Sequence, residues 1–403
     1  MNILYTITSY PPAVGGTQLH THLLAQELRR RHHRVYVASH WDNTRTDWLL
    51  GTTLLAPRES KSYAIDGVAV QRIGLSIADK LSIAPYLPVY FPLMTLALPP
   101  IARRIEKHLL PVVQNTDLIH NIRQGREGLA YASLAIARKR DIPFVFTPTH
   151  HPRWTGRIYR AYLDLYKSAD LVIALTNTEK DILIRLGVEA QRIAVTGIGP
   201  VVSDSAEPEA FCEKYKIEGP IVLFLARNNR YKGYLELLQA AKVVWQKLPE
   251  VNFVFIGPAV GKSDQVFKSF QDPRIFHLGN VDLQEKTNAL SACNVLCVPS
   301  TQESFGGVYT EAWTFSKPVI GCNIPSVSEV ISDGVDGYLV EQDVAQIAER
   351  LCELIKHPDM AIRMGTAGYQ KVKQRFTWGK LAELTEQAYF KTIHCSSKTI
   401  TVN

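Results

Sequence analysis

No Cys-x-x-Cys pair and no Asp-x-Asp occurs in the 403 residues. Six cysteines stand at 212, 293, 297, 322, 352 and 395, and only Cys293 and Cys297 are one helical turn apart, without partner histidines. That spacing excludes a structural zinc site of ordinary type and points to buried free thiols in a reducing compartment. The first residues, MNILYTITSYPP, carry no charged segment ahead of their apolar run, so no secretory leader is expected. No low-complexity tract is present, and no long hydrophobic run is free of breaks. The one stretch long enough to span a bilayer, residues 83–101, holds prolines at 85, 88, 92, 99 and 100. So many interruptions would strand backbone groups in lipid, which argues for an apolar loop and short helix, or a hydrophobic lip that touches a membrane or lipid-linked substrate. A basic stripe with interleaved aromatics is also lacking, so nucleic acid is not an expected partner.

What is present is an alternation. NILYTITSY (2–10) reads as a buried strand, a helix follows over about 17–31, and further apolar runs fall at 34–41, 68–74, 118–122, 143–150 and 170–176. The second half restarts with PIVLFLA (220–226) and continues through 252–257, 274–280, 294–300, 318–323 and 337–341. Short apolar runs between helical patterns describe parallel sheets covered on both faces. A chain of this length exceeds a single core, and the Gly/Pro-rich stretch 196–211 marks the junction. The expected architecture is α/β, two doubly wound Rossmann-like domains: residues 1–200, residues 201–377, and a last helix over 378–395. Charge divides between the halves. Residues 1–200 hold 24 Lys and Arg against 15 Asp and Glu, leaving 21 against 23 in the rest of the 45 and 38. The basic half suits an anionic partner such as a phospholipid surface or phosphorylated acceptor, or is simply a solvated face.

Ligands of open parallel sheets bind beyond the carboxyl ends of the strands, and four stretches fall there. YPPAVGGTQLH (10–20) offers Gly15 and Gly16 ahead of a helix, though it is neither Gly-x-Gly-x-x-Gly nor a Walker loop. ARNNRYKGYLELL (226–238) places Arg227 and Lys232 before a helix N-terminus, two cations fit for a diphosphate, with Arg230 the expected bystander. FTPTHHPRW (146–154) supplies His150 and His151, able to donate a hydrogen bond or a proton near neutral pH. PSTQESFGGVYTEA (299–312) sets Glu303 and Glu311 eight positions apart around Gly306-Gly307. The glycines fall in the first turn of a helix, where N–H groups can meet an anion, and the carboxylates can accept from sugar hydroxyls on either side.

This last block, with its Glu-x7-Glu spacing, resembles the signature of retaining glycosyltransferases of the two-Rossmann GT-B type, family 4, also called glycosyl transferases group 1. The resemblance extends from YPPAVGG through ARNNRYKG to IPSVSEVISDGVDGYLVE (324–341) and RFTWGKLAE (375–383). It implies an N-terminal acceptor-binding domain and a C-terminal donor-binding domain facing a central cleft, with the final helix crossing back to the first. It further implies that Glu303 contacts the donor sugar and Glu311 the ribose. Phe305, Gly306 and Gly307 present backbone to sugar and diphosphate; Arg227 and Lys232 neutralise the diphosphate; Gly16 lets the first domain close; and Val281 packs beside the base. The family's loop histidine falls at Thr149 in this chain; relatives with a Thr-Pro opening carry it two places later, at His151. His151 is therefore the expected active-site histidine, with His150 the alternative.

The implied enzyme is a cytoplasmic hexosyltransferase, with peripheral contact at the inner face of the membrane as a further expectation. It would take a UDP- or GDP-sugar as co-substrate, without metal or other cofactor, and act on a glycan, lipid-linked or other hydroxyl acceptor in cell-surface polysaccharide or glycolipid synthesis. The competing readings are another GT-B enzyme, an epimerase or phosphorylase, and a non-catalytic sugar-nucleotide binding protein.

Overall fold

The computed structural model describes residues 1–13, 15–43, 49–122, 128–150, 154, 156 and 159–400, with side chains through 394. The chain forms two compact units, one of residues 1–197 and 378–403 and the other of residues 198–377.

The first unit is built on an eight-stranded sheet. Its strands are β1 (Asn2–Ile7), β2 (Arg34–Ser39), β3 (Lys61–Ile65), β4 (Val68–Arg72), β5 (Leu118–Ile122), β6 (Phe144–Thr147), β7 (Leu171–Ala174) and β8 (Ile193–Val195). They lie in the order β3-β4-β2-β1-β5-β6-β7-β8. All neighbours are parallel except β3, which returns antiparallel along β4. β1 and β5 are buried along almost their whole length, as central strands covered on both faces are, and they carry the buried polar residues Thr6, His120 and Asn121 among apolar neighbours.

The last helix, Trp378–Ile400, packs into this unit rather than extending the second sheet. Its Tyr389 hydroxyl lies 3.1 Å from the Tyr5 hydroxyl and 2.5 Å from His120 Nδ1, all buried. At the rim, Glu386 accepts from Arg31 at 2.5 Å and meets His33 Nε2 at 2.6 Å.

The second unit carries β9 (Ile221–Leu225), β10 (Asn252–Ile256), β11 (Ile275–Gly279), β12 (Val295–Val298), β13 (Val319–Cys322) and β14 (Gly337–Val340). These run in the order β11-β10-β9-β12-β13-β14, all parallel. That is the doubly wound order whose direction reverses between its first and fourth strands, here β9 and β12. The expected fold class holds for both units.

Over 83–101 the outcome differs from a loop with a short helix. A single turn at Ala84–Tyr86 precedes a helix, Met94–Leu109, that retains Pro99 and Pro100 inside it. Their missing donors leave the carbonyls of Thr95 and Leu96 without the usual intrahelical bond, and the inner face stays apolar through Met94, Ala97, Leu98, Ile101, Ile105 and Leu109. Among the described residues no helix is long and apolar enough to cross a membrane. Five cysteines (212, 293, 297, 322 and 352) are free thiols, all but Cys212 buried.

Candidate active site

The switch point of the second sheet gathers the residues that the sequence singles out. After β9 the chain makes a tight turn over Arg230–Lys232, then places Gly233 in the left-handed region at φ 82° before the helix Tyr234–Val244. A Cβ on Gly233 would come within 2.5 Å of the Pro299 carbonyl oxygen, so backbone proximity as well as φ demands glycine. After β12 the chain runs through Pro299 to Gly306, also left-handed at φ 85°, into the helix Gly307–Thr314. No side chain caps that helix, and a Cβ on Gly306 would meet the Tyr309 ring at 2.3 Å. Tyr309 is itself pinned, donating to the Val298 carbonyl at 2.9 Å.

The two loops are stitched together. Gln342 Nε2 donates to the carbonyls of Tyr231 (3.1 Å) and Pro299 (2.7 Å), and Thr301 N donates to Tyr231 O at 2.9 Å. Across this seam Lys232 Nζ reaches Glu303 Oε1 at 2.5 Å, with both side chains half-buried. Ser326 Oγ donates to the Glu303 carbonyl at 2.7 Å, fixing the backbone beneath the carboxylate. Phe305 is buried and packs edge-on against Phe376, ring centroids 5.3 Å apart. Arg227 is exposed and makes no ion pair among the described residues.

On the other flank of the helix, Glu311 is buried and bonded to Lys286 Nζ at 2.9 Å, and the same ammonium donates to Val201 O at 2.6 Å. Burial pushes the Glu311 carboxyl up, and Lys286 pulls against it. Lys286 sits in the helix Leu283–Ala292, whose start lies two residues beyond half-buried Val281. Glu303, Phe305, Gly306, Gly307 and Glu311 thus line one helix terminus, with Lys232 and Arg227 in the adjoining loop. Their partners Gln342 and Lys286 were not singled out in the sequence, being ordinary polar residues, and Ser326 appeared only within the block 324–341, with no role of its own.

Gly16 and His150 belong to the first unit. Gly15 precedes the helix Gly16–Arg30 in extended backbone that any residue adopts, and a Cβ on Gly16 would meet nothing within 4 Å. Neither strain nor packing inside the unit demands the glycine there. His150 is buried, its ring nitrogen Nδ1 3.3 Å from the Tyr166 hydroxyl, and its amide donates to Glu179 Oε1 at 2.6 Å. His151 lies outside the described residues. Among the described residues no group of three or more His, Cys, Asp or Glu is arranged to hold a metal ion.

Two parallel-stranded Rossmann-like units with a carboxylate–lysine seam at a switch point define the GT-B class, and solved structures agree on that fold. Anabaena Alr3699/HepE in complex with UDP and glucose aligns at TM-score 0.74 and 19% identity over 97% of this chain and 100% of that one. Sucrose-phosphate synthase from Thermosynechococcus elongatus aligns at TM-score 0.74 and 16% identity, over 98% and 100%. Residues 14–199 match Glycosyltransferase Family 4 and residues 209–371 match Glycosyl transferases group 1. The chain belongs to this glycosyltransferase family. Among curated proteins it is 29% identical over 250 residues to an alpha-maltose-1-phosphate synthase of Mycolicibacterium smegmatis, covering 56% of this chain and 64% of that protein. It is 28% identical over 287 residues to a D-inositol 3-phosphate glycosyltransferase of Xylanimonas cellulosilytica, covering 63% and 67%.

Proposed function

We propose that the chain is a retaining glycosyltransferase that moves a sugar from a UDP- or GDP-linked donor to a hydroxyl of a glycan or lipid-linked acceptor. The observation that carries this is the Lys232–Glu303 pair, 2.5 Å apart, set between the switch-point loops beside the helix terminus at Gly307. Lys232, Arg227 and the backbone N–H groups of the first turn would face the departing diphosphate, the electrostatic stabilisation that most lowers such barriers. Glu303 orients the ammonium through Oε1, which leaves Oε2 to accept from the donor sugar's hydroxyls. Glu311, held by Lys286, would take the ribose hydroxyls, and Val281 would lie against the base.

The acceptor oxygen bonds to the anomeric carbon on the face from which the phosphate leaves, and its proton passes to that phosphate. A loop histidine from the first unit assists. His151 is the better candidate, because the His150 ring is committed to Tyr166.

A thermal-shift screen of nucleotide sugars identifies the donor, followed by product analysis with and without acceptor. Lys232→Ala and Glu303→Ala are each expected to lower transfer about 10²- to 10³-fold with unchanged circular dichroism. Wild-type turnover in either variant overturns these roles, and isomerised donor without transfer would indicate an epimerase.

The surface of the first unit supports a membrane-proximal setting for the acceptor. Leu81 (69% exposed), Leu96 (66%), Ile77, Tyr86, Phe91 and Leu93 crowd one short stretch. On the helix Met94–Leu109 the outer face runs from Leu96 through Pro99 to exposed Arg103 and Lys107. Apolar side chains beside cations that make no ion pair among the described residues suit an anionic bilayer surface. Leu81→Glu with Leu96→Glu is expected to abolish co-flotation with phosphatidylglycerol vesicles; flotation equal to wild type would discard the membrane contact.

A further inference from the structure

We infer that Glu179 is a positioning residue that clamps the histidine loop of the first unit in a strained conformation, an inference that rests on the role proposed for that loop. Glu179 stands in the first turn of the helix Asn177–Arg185, after β7, with Thr176 as N-cap accepting from its amide at 3.0 Å. In an ordinary capping box the acidic side chain at this position reaches back to the N-cap amide of its own helix. Here Oε2 accepts from Leu175 N at 2.7 Å, one residue earlier, while Oε1 leaves the helix and accepts from His150 N at 2.6 Å. One carboxylate therefore joins the loops that follow the neighbouring strands β6 and β7.

Two further observations give the contact its purpose. Thr149, immediately before His150, sits at φ 42°, a region that β-branched residues avoid and that persists only where the surroundings enforce it. The Glu179 side chain is buried, and no cation compensates it among the described residues. Burial raises its carboxyl to about 7 against the pull of the two amides. A buried carboxylate is costly unless its hydrogen bonds are required. Glutamine could not replace it, because its amide nitrogen would face one of the two N–H donors. Among the described residues, the titratable groups on the elements packed around this contact are His150, from the loop after β6, and Tyr166, from the helix Arg160–Ser168. A protonated Glu179 turns one acceptor into a donor and frees one amide, so the loop slackens as pH falls through about 7.

Hydrogen–deuterium exchange on the full chain tests the clamp without any substrate. With intrinsic rates corrected, the wild-type amides of 147–150 and 175 are expected to lose protection about tenfold between pH 8 and pH 6, while amides of the helix Gly128–Arg140 do not change. Glu179→Gln should show the low-pH exchange at both pH values. Protection that is flat with pH in the wild type overturns the clamp, even if the variant fails to fold. Turnover of the donor identified by the thermal screen then tests positioning. Glu179→Gln is expected to lose about tenfold in kcat with an unchanged dissociation constant for UDP, and full kcat with a slackened loop overturns it. Wild-type turnover in both His150→Ala and His151→Ala would instead defeat the reading of the loop itself, leaving the exchange result to stand on its own.

Discussion

Two lysine–glutamate pairs flank the helix that starts at Gly307, and they sit in different surroundings. Lys232 and Glu303 are half-buried, whereas Glu311 is buried outright, its carboxyl pushed up by burial and pulled back by Lys286. Breaking a buried pair leaves one charge without its partner, a larger loss than the pair's own net worth. Lys286→Met should therefore cost about 3 kcal/mol in denaturant unfolding. Its Glu311 carboxyl should also rise further, so the variant loses most of its stability on the alkaline side of that shift. The sign follows from proton binding: a carboxyl raised on folding binds more protons in the native state, and stability falls as pH rises through the window above 4.5. A variant as stable as wild type at pH 7 would show that Glu311 already lies protonated beside Lys286.

At the scale of elements, the last helix is held to the first unit by the opposite kind of carboxyl. Arg31, assisted by His33, holds Glu386 below its ordinary range. Its contribution is present above the unfolded value near 4.5 and lost as pH falls through the lower folded value. Acid should release this helix before the sheet melts, seen as amide exchange across 378–394 rising below pH 4.5 while β1 and β5 stay protected. Glu386→Gln should show that exchange already at neutral pH. That this helix returns to the first unit was legible only through the family resemblance, because its anchors Tyr5, Arg31, His33 and His120 lie hundreds of positions away. The buried strands were legible because each is a short apolar run between glycines and helical patterns. β3 and β8 were not: KSYAI alternates at a half-exposed edge and matches a loop in composition, and IAV is only three residues long. The site was half legible: Glu303, Glu311 and the glycines share one local block, and φ values of 82° and 85° at Gly233 and Gly306 explain two of the conspicuous glycines. Glu179 was invisible for the reason that makes it interesting, since its two acceptors serve different loops.

At the scale of the whole molecule, the proposed nucleotide-binding residues other than Gly16 fall in one unit, which makes the response to ligand directional. A nucleotide that binds the folded form alone stabilises it by RT ln(1 + [L]/Kd), about 2.7 kcal/mol at a hundredfold excess over Kd. The second unit spans residues 198–377, and a domain of that size shifts by roughly 2–4 °C per kcal/mol. Scanning calorimetry with UDP should therefore raise the second unit's transition by about 5–10 °C. Gly306→Ala, whose Cβ would strike Tyr309, should remove most of that gain along with about 1–3 kcal/mol of intrinsic stability. The shift should survive EDTA, because the cations proposed for the diphosphate are Arg227 and Lys232, which a chelator leaves in place. A shift abolished by EDTA would assign the diphosphate to a divalent ion, and a shift confined to the first unit's transition would move the nucleotide away from the Gly307 helix.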